Sequence, residues 1–174
     1  ETADITESFS GLYNAMWIAV VLIYIILVAQ FNSLIQPFII LTTLPLSVIG
    51  VFAGLFIMDY GFSFPSFIGV VALGGIVVNN AIMIIDRMNS QRTLGMPLKQ
   101  AVLEGVNLRF RPILLTTLTT ILAVIPTSLQ DKVWGSLGFT IVFGLAFSTI
   151  LTLIVIPVLY YMVEQRKEAI VTPL

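Results

Sequence analysis

The stretch GGIVVNNAIMIIDRMNSQR, residues 74–92, combines an apolar run of membrane-spanning character with two adjacent amides, Asn79 and Asn80. It then becomes polar at the charged pair Asp86–Arg87. An amide within a lipid-embedded helix costs free energy unless another helix, or water in a cavity, satisfies its hydrogen-bonding groups. The stretch therefore indicates a membrane helix whose amide face is turned away from lipid.

The composition is that of a membrane protein. Hydrophobic residues make up 58% of the 174 residues and charged residues 10%, whereas a soluble domain has about a quarter charged residues. The net charge of -1 and the 8 scattered basic side chains do not form a surface that binds nucleic acid. The sequence has no cysteine and no histidine, which excludes disulfides, thiolate or imidazole metal sites and the usual His-based catalysis. Since it also has no nucleophile–base pair, no Gly-rich loop before a basic residue and no metal-ligand cluster, we expect no catalytic residues, no metal site and no cofactor.

Apolar stretches of spanning length predict the fold. Each is close to the roughly 20 residues that a helix needs to cross the hydrocarbon core, whereas strands of a membrane barrel would be about half as long and would alternate with polar residues. We therefore predict an all-α integral membrane protein, a bundle of five transmembrane helices within residues 12–163. Points where these helices can bend or break are Pro45, Pro112, Pro126 and Pro157. The predicted spans are Leu12–Phe31, Ile35–Met58, Phe64–Ile85, Pro112–Leu129 and Leu137–Val163.

Basic residues predict the orientation of the spans. Most lie in or beside the loop between the third and fourth spans or follow the last span, and only Lys132 lies on the opposite side. Because positively charged loops stay in the cytoplasm, the N-terminus is expected outside, and residues 164–174 form a cytoplasmic tail. The acidic residues 1–11 do not have the pattern of a signal peptide. We expect them to be the end of an extracytoplasmic, porter-side segment of a longer protein, with a short natural tail as the alternative.

Residues 97–108, PLKQAVLEGVNL, have the pattern of an amphipathic helix in the predicted cytoplasmic loop. One helical face is apolar and the other polar. The apolar face consists of Leu98, Ala101, Val102, Val106 and Leu108, and the polar face of Lys99, Gln100, Glu104 and Asn107. Because spans flank this segment on both sides, we expect it to lie on the inner membrane surface. A solvated connector helix is the alternative.

Polar residues inside the spans are the candidate functional residues. Besides Asn79 and Asn80, the fourth span has a cluster of four threonines, of which Thr116 lies seven residues after Arg109. Seven residues are nearly two turns, so Arg109 and Thr116 share a helix face unless Pro112 alters the register. These residues favour a polar transport pathway. The structural alternative is that the amides join helices, at about 1 kcal/mol or less each, while the threonines bond their own backbone.

Three motifs, taken in order and spacing, carry a resemblance. They are VAQFNSLIQPFIILTTLPLSVIG at residues 28–50, GGIVVNNAIMIIDRMN at 74–89 and LRFRPILLTTLTTILAVIP at 108–126. Together they closely resemble the last five transmembrane helices of resistance-nodulation-division (RND) efflux transporters of the hydrophobe/amphiphile type. The resemblance implies the C-terminal membrane portion of a proton-driven multidrug pump, which is a secondary active transporter (a proton antiporter) and not an enzyme.

The resemblance also implies partners and a location. Family members have two similar six-helix halves, so the chain would work with the N-terminal half of the same transporter. They form homotrimers in the lipid bilayer of the bacterial inner (cytoplasmic) membrane. They pass hydrophobic or amphiphilic small molecules to a periplasmic adaptor and an outer-membrane channel.

The resemblance assigns a proton relay residue by residue. In the family, two aspartates of the first half face a lysine, an arginine and a threonine of the second half. The arginine falls on Arg109 and the threonine on Thr116, but the lysine falls on Asn79. This is a departure, because an amide cannot pair with a carboxylate as an ammonium does. We expect Asn79 and Asn80 to hydrogen-bond a carboxylic acid in either protonation state, and Asp86 to be a solvated charge outside the relay.

Two other functions fit the residues. SecDF-like protein-export accessory subunits of the same superfamily also have an Asn-containing span followed by an Asp–Arg step, although the run RFRPILLTTLTT favours efflux. A non-transporting membrane scaffold, in which the amides only join helices, is the alternative from a different class.

Overall fold

The computed structural model describes residues 2–171, with side-chain surroundings for residues 11, 13–131 and 134–168. Over residues 2–171 the chain forms helices and no strands, which confirms the all-α prediction. Helices long and apolar enough to cross a membrane number five in this part of the chain, as expected. The helices are α1 (Thr2–Phe31), α2 (Ile35–Leu41), α3 (Thr43–Ile57), α4 (Phe64–Thr93), α5 (Leu98–Gln130) and α6 (Lys132–Val171).

The chain divides into two compact units, of which the first is residues 1–38. Its main element is α1, with the candidate span Tyr13–Phe31. Trp17 and Ile26 on this span are more than half exposed, as suits a helix that meets lipid. The turn after α1 is held by the Tyr24 hydroxyl, which donates to the Leu34 carbonyl at 3.4 Å.

The second predicted span is not one helix. It is split, because α2 ends at Leu41 and α3 begins at Thr43. Pro45 has no N–H to donate to the carbonyl of Leu41, so the backbone hydrogen-bond ladder fails at this point. The hydroxyls of Thr42 and Thr43 donate to carbonyls three residues earlier, at 2.6 and 2.7 Å. The predicted second span is thus present as Ile35–Ile57, with the break expected near Pro45 lying at Thr42.

The other three prolines do not interrupt their helices. α5 continues through Pro112 and Pro126, and α6 continues through Pro157. Arg109 and Thr116 consequently belong to one unbroken helix, and the spacing that places them on one face is preserved.

The predicted amphipathic segment is helical, but it is the first part of α5 and not a separate element. Leu98, Ala101 and Val102 are 7%, 0% and 7% exposed, so the first part of the predicted apolar face is buried, whereas Leu108 at its end is 44% exposed. Gly105 lies on the same side, and a Cβ added to it would come within 2.7 Å of Met88 on α4. Protein therefore covers the first part of the face that we expected to rest on the membrane surface, because α5 packs along α4 from its first turn.

α4 is longer than the predicted span and has a defined end on each side. The Ser63 hydroxyl caps its start by accepting from the Ser66 N–H at 3.4 Å. At the other end Gly95 has φ +83°, a left-handed conformation that glycine adopts without strain, and its N–H donates to the Arg92 carbonyl at 3.0 Å. The helix thus continues past Ile85 before the chain turns into α5.

Glycines let the helices of the second unit, residues 39–174, approach closely. A Cβ added to Gly54 would lie 2.2 Å from Phe143 on α6, and one added to Gly144 would lie 2.2 Å from Leu73 on α4. Since lipid provides little hydrophobic driving force between helices, such close packing is a main source of helix association. The buried cluster at this contact consists of Val51, Leu55, Leu73, Val77 and Leu145.

Gly54→Ala is expected to destabilise the full-length protein by about 1–3 kcal/mol, because the new methyl group overlaps Phe143 close to the backbone, where a rotamer change gives little relief. Gly75→Ala is the matched control, since a Cβ there meets nothing within 4 Å in this chain. Thermal unfolding in detergent measures both variants. Equal unfolding midpoints would show that the α3–α6 contact is looser than the structure has it.

Candidate polar transport site

A groove of about 170 Å³ lies between α4 and α5, with one residue of α6 at its floor. The volume is enough for several water molecules. The residues that line it include two amides and three threonines and no ionisable side chain. The lining consists of Ile76, Asn79, Asn80, Met83, Pro112, Ile113, Thr116, Thr117, Thr120 and Leu145.

Both predicted amides line this groove. Asn79 is exposed, and its nitrogen lies 3.9 Å from the Met83 sulfur, a weak acceptor on its own helix. Asn80 is 9% exposed, and no hydrogen bond joins its amide to another residue in the described part of the chain. Among the described residues, therefore, the amides do not join α4 to a neighbouring helix, as the structural alternative requires. Their hydrogen-bonding groups face the groove.

The predicted threonine, Thr116, also lines the groove and is exposed. Its hydroxyl donates to the Ile113 carbonyl at 3.0 Å, and Thr119 and Thr120 likewise donate to backbone carbonyls of α5. This is the local bonding expected of threonine in a helix. A hydroxyl that donates to its own helix still has lone pairs to accept a hydrogen bond, so Thr116 retains a free acceptor on the groove side.

Arg109 does not line the groove but lies on the same helix as Thr116, about 10 Å along its axis. Its Nε is buried and has no hydrogen-bond partner in the described part of the chain. A buried guanidinium nitrogen without a partner is costly, although Arg109 as a whole is only half-buried. Asp86 is exposed, as we expected of a solvated charge.

The residue that sequence reasoning missed is Thr149 on α6. Thr117, which lines the groove, and Thr149 are 5% and 3% exposed, and their hydroxyl oxygens are 3.0 Å apart. A signal was present in the sequence, because Thr149 and Thr152 are two of the few serine and threonine residues of the last span, together with Thr140 and Ser148. The sequence could not show that Thr149 faces Thr117.

The helices and the groove define the membrane portion of a polytopic transport protein, and comparisons with known proteins identify the family. The sequence profile of the AcrB/AcrD/AcrF family matches residues 2–164. The chain belongs to this family and is therefore a transmembrane portion of an RND transporter.

The relatives of this chain include a motility protein and a multidrug resistance protein. The swarming motility protein SwrC of Bacillus subtilis is 40% identical over 172 residues, which is 96% of this chain. The multidrug resistance protein MdtC of Erwinia amylovora is 38% identical over 164 residues, or 89% of this chain. The chain spans 16% of the length of each of these relatives.

A solved structure has the same arrangement of helices. The crystal structure of a heavy metal efflux pump, crystal form II, matches with a TM-score of 0.84 and 31% sequence identity. The match covers 94% of this chain and 16% of the pump's chain. The prediction of an RND transmembrane portion is thus confirmed.

Proposed function

We propose that the chain is the C-terminal membrane portion of a proton-driven efflux transporter and supplies one side of its proton relay. The observation that carries the proposal is the groove, where Asn79, Asn80 and Thr116 present hydrogen-bonding groups that have no interhelical partner within the described residues. Arg109 adds a half-buried cation on the same helix as Thr116. Both features fit acidic groups supplied by the missing half of the transporter.

The departure at Asn79 changes the chemistry expected of this relay. A lysine at this position would compensate a carboxylate with a full charge, whereas an amide offers hydrogen bonds to the neutral acid and to the ionised form alike. In the proposed relay, Arg109, the position that matches the arginine of the family, therefore supplies the positive charge. Asn79, Asn80 and Thr116 orient the acid, and Arg109 compensates its charge.

Substrate, partners and orientation are part of this proposal. We infer that the substrates are hydrophobic or amphiphilic organic molecules, which the multidrug resistance name of the MdtC relatives supports. The homotrimer, the periplasmic adaptor, the outer-membrane channel and the inner-membrane location rest on family membership. The orientation with the 94–97 loop in the cytoplasm stays a prediction from the basic residues.

Efflux is favoured over the two other functions. The matching family is named for efflux transporters, and neither of the two named relatives carries a protein-export name. The scaffold alternative needs the amides to join helices, and no such bond is present among the described residues.

Thr116→Val tests the proposal in the full-length transporter. The substitution keeps the shape and removes the acceptor oxygen at the groove, so we expect proton-driven efflux to fall by up to roughly 10-fold, since a hydrogen bond accepted from the neutral acid contributes about 0.5–1.5 kcal/mol. Thr119→Val is the matched control, because Thr119 bonds the same helix backbone and does not line the groove. The measurement is substrate-driven proton flux in proteoliposomes at matched protein amounts. Equal fluxes for the two variants would remove Thr116 from the relay.

A further inference from the structure

α4 and α6 are joined by polar contacts near both of their ends. Near the start of α4, the hydroxyl oxygens of Ser63 and Ser136 lie 2.8 Å apart. Toward its other end, the buried Tyr160 hydroxyl donates to the side-chain amide oxygen (Oδ1) of Asn89 at 2.6 Å. Between these contacts, Gly69 brings α4 so close to α6 that an added Cβ would be 2.9 Å from the Thr140 methyl group. These contacts hold α4 and α6 together along most of the length of α4.

α5 contacts this pair differently at the level of the groove. At this level, α5 and α6 are joined among the described residues by the hydrogen bond between the Thr117 and Thr149 hydroxyls. Thr117 lines the groove and Thr149 does not, so the bond directs the Thr117 hydroxyl away from the groove. Both side chains are at least nine-tenths buried, so water does not replace either hydroxyl as a hydrogen-bond partner.

We propose that Thr149 is a positioning residue of the transport site: it holds the Thr117 hydroxyl against α6 and so keeps it from bonding the acidic group in the groove. This inference rests on the proposed relay, because it needs a carboxyl group of the missing half facing the groove. It assigns different roles to two adjacent threonines. Thr116 contacts the acid, and Thr117 is kept away from it by α6.

The charged surroundings of the pair are simple. On α5 the nearest ionisable residues are Arg111 and Arg109, about two turns before Thr117, and on α4 they are Asp86 and Arg87, about two turns after Asn80. α6 has no ionisable side chain other than tyrosine between residues 134 and 163. Any change in the pH dependence caused by a substitution at Thr149 therefore reports on the acid in the groove and not on a titrating neighbour of Thr149.

Thr149→Val removes the partner of the Thr117 hydroxyl, which is then free to rotate toward the groove. There it donates to the ionised carboxylate more strongly than to the neutral acid, which favours the ionised form. Proton loading then needs a lower pH. We expect the midpoint of the flux–pH profile to move toward acid by about half a unit to one unit.

The double variant Thr117→Val/Thr149→Val is the decisive arm. It has no hydroxyl to donate into the groove, so its profile should return to the wild-type midpoint. Replacing both partners of a buried hydrogen bond can also restore lost stability, so the fluxes are compared at matched amounts of folded protein and the readout is the midpoint, which a loss of stability alone does not move. Thr117→Val alone should leave the midpoint unchanged. Thr149→Ser, which keeps the hydroxyl, and Thr152→Val, a buried threonine one turn further along α6, should also match the wild type.

The assay is proton flux against pH in proteoliposomes containing the full-length transporter, with Thr116→Val measured in parallel. If Thr116→Val lowers flux and Thr149→Val leaves the midpoint unchanged, Thr149 has no positioning role and the relay stands. The inference is also overturned if the double variant stays shifted, or if Thr117→Val shifts the midpoint by itself. If Thr116→Val has no effect, the proposed relay fails first.

Discussion

Arg109→Met in the full-length transporter is expected to lower proton-driven efflux by roughly 100-fold, the factor that corresponds to about 3 kcal/mol. Arg109 is half-buried, and its Nε has no partner within the described residues. If a carboxylate of the missing half pairs with the guanidinium through its other nitrogens, removing the guanidinium leaves a negative charge uncompensated in a membrane interior, and the acid then stays protonated. A carboxyl group that cannot release its proton cannot complete a transport cycle.

Arg111→Met is the matched control for this prediction. Arg111 is two residues away on the same helix and exposed, so it points about 200° around the helix from Arg109. We expect it to keep most of the wild-type flux. Arg109→Lys retains the positive charge without the planar fork of donors, and its flux should be intermediate. Loss of activity to the same degree in Arg109→Met and Arg111→Met would mean that general positive charge, and not a specific contact, is needed.

The fold was predictable because lipid imposes strict rules on a sequence. Apolar length alone identified five spanning helices, and the predicted start of the third span at Phe64 agrees with the start of α4, where Ser63 caps the helix. The effect of proline was harder to predict. Pro45 breaks its span, whereas Pro112 and Pro126 lie within a continuous α5. Which outcome occurs depends on whether neighbouring packing restores the lost backbone bonds, and that is a tertiary property.

Part of the candidate site could also be predicted from the sequence. Asn79, Asn80 and Thr116 come together in one groove, as an amide face and a threonine face on adjacent helices predict. Arg109 does not line the groove. Helix periodicity places Arg109 on the same face as Thr116, but it cannot show how far along the helix the groove extends. The role of Thr117 could not be read either, because its partner Thr149 is 32 positions away on another helix.

The second large effect is expected at Asn79. Replacing Asn79 by Lys in the full-length transporter should move the flux–pH profile toward acid by about 1–3 units. The new ammonium would lie beside the acidic groups of the missing half, and an opposite charge within about 4–6 Å favours the ionised carboxylate, so that proton loading needs a lower pH. Asn79 is exposed on this chain and its amide contacts only the flexible Met83 among the described residues, so the longer side chain can be accommodated.

Asn79→Leu separates charge from hydrogen bonding at the same position. It removes the amide without adding a charge, so flux should fall at every pH while the midpoint of the profile stays in place. Desolvation opposes the ionised form of a lysine in lipid, which sets the lower end of the expected shift for Asn79→Lys. The measurement is proton flux against pH in proteoliposomes for the wild type and both variants. Three superimposable profiles would mean that Asn79 has a structural role alone, and the relay would then have to operate with Arg109 and Thr116 and without a contribution from α4 at this position.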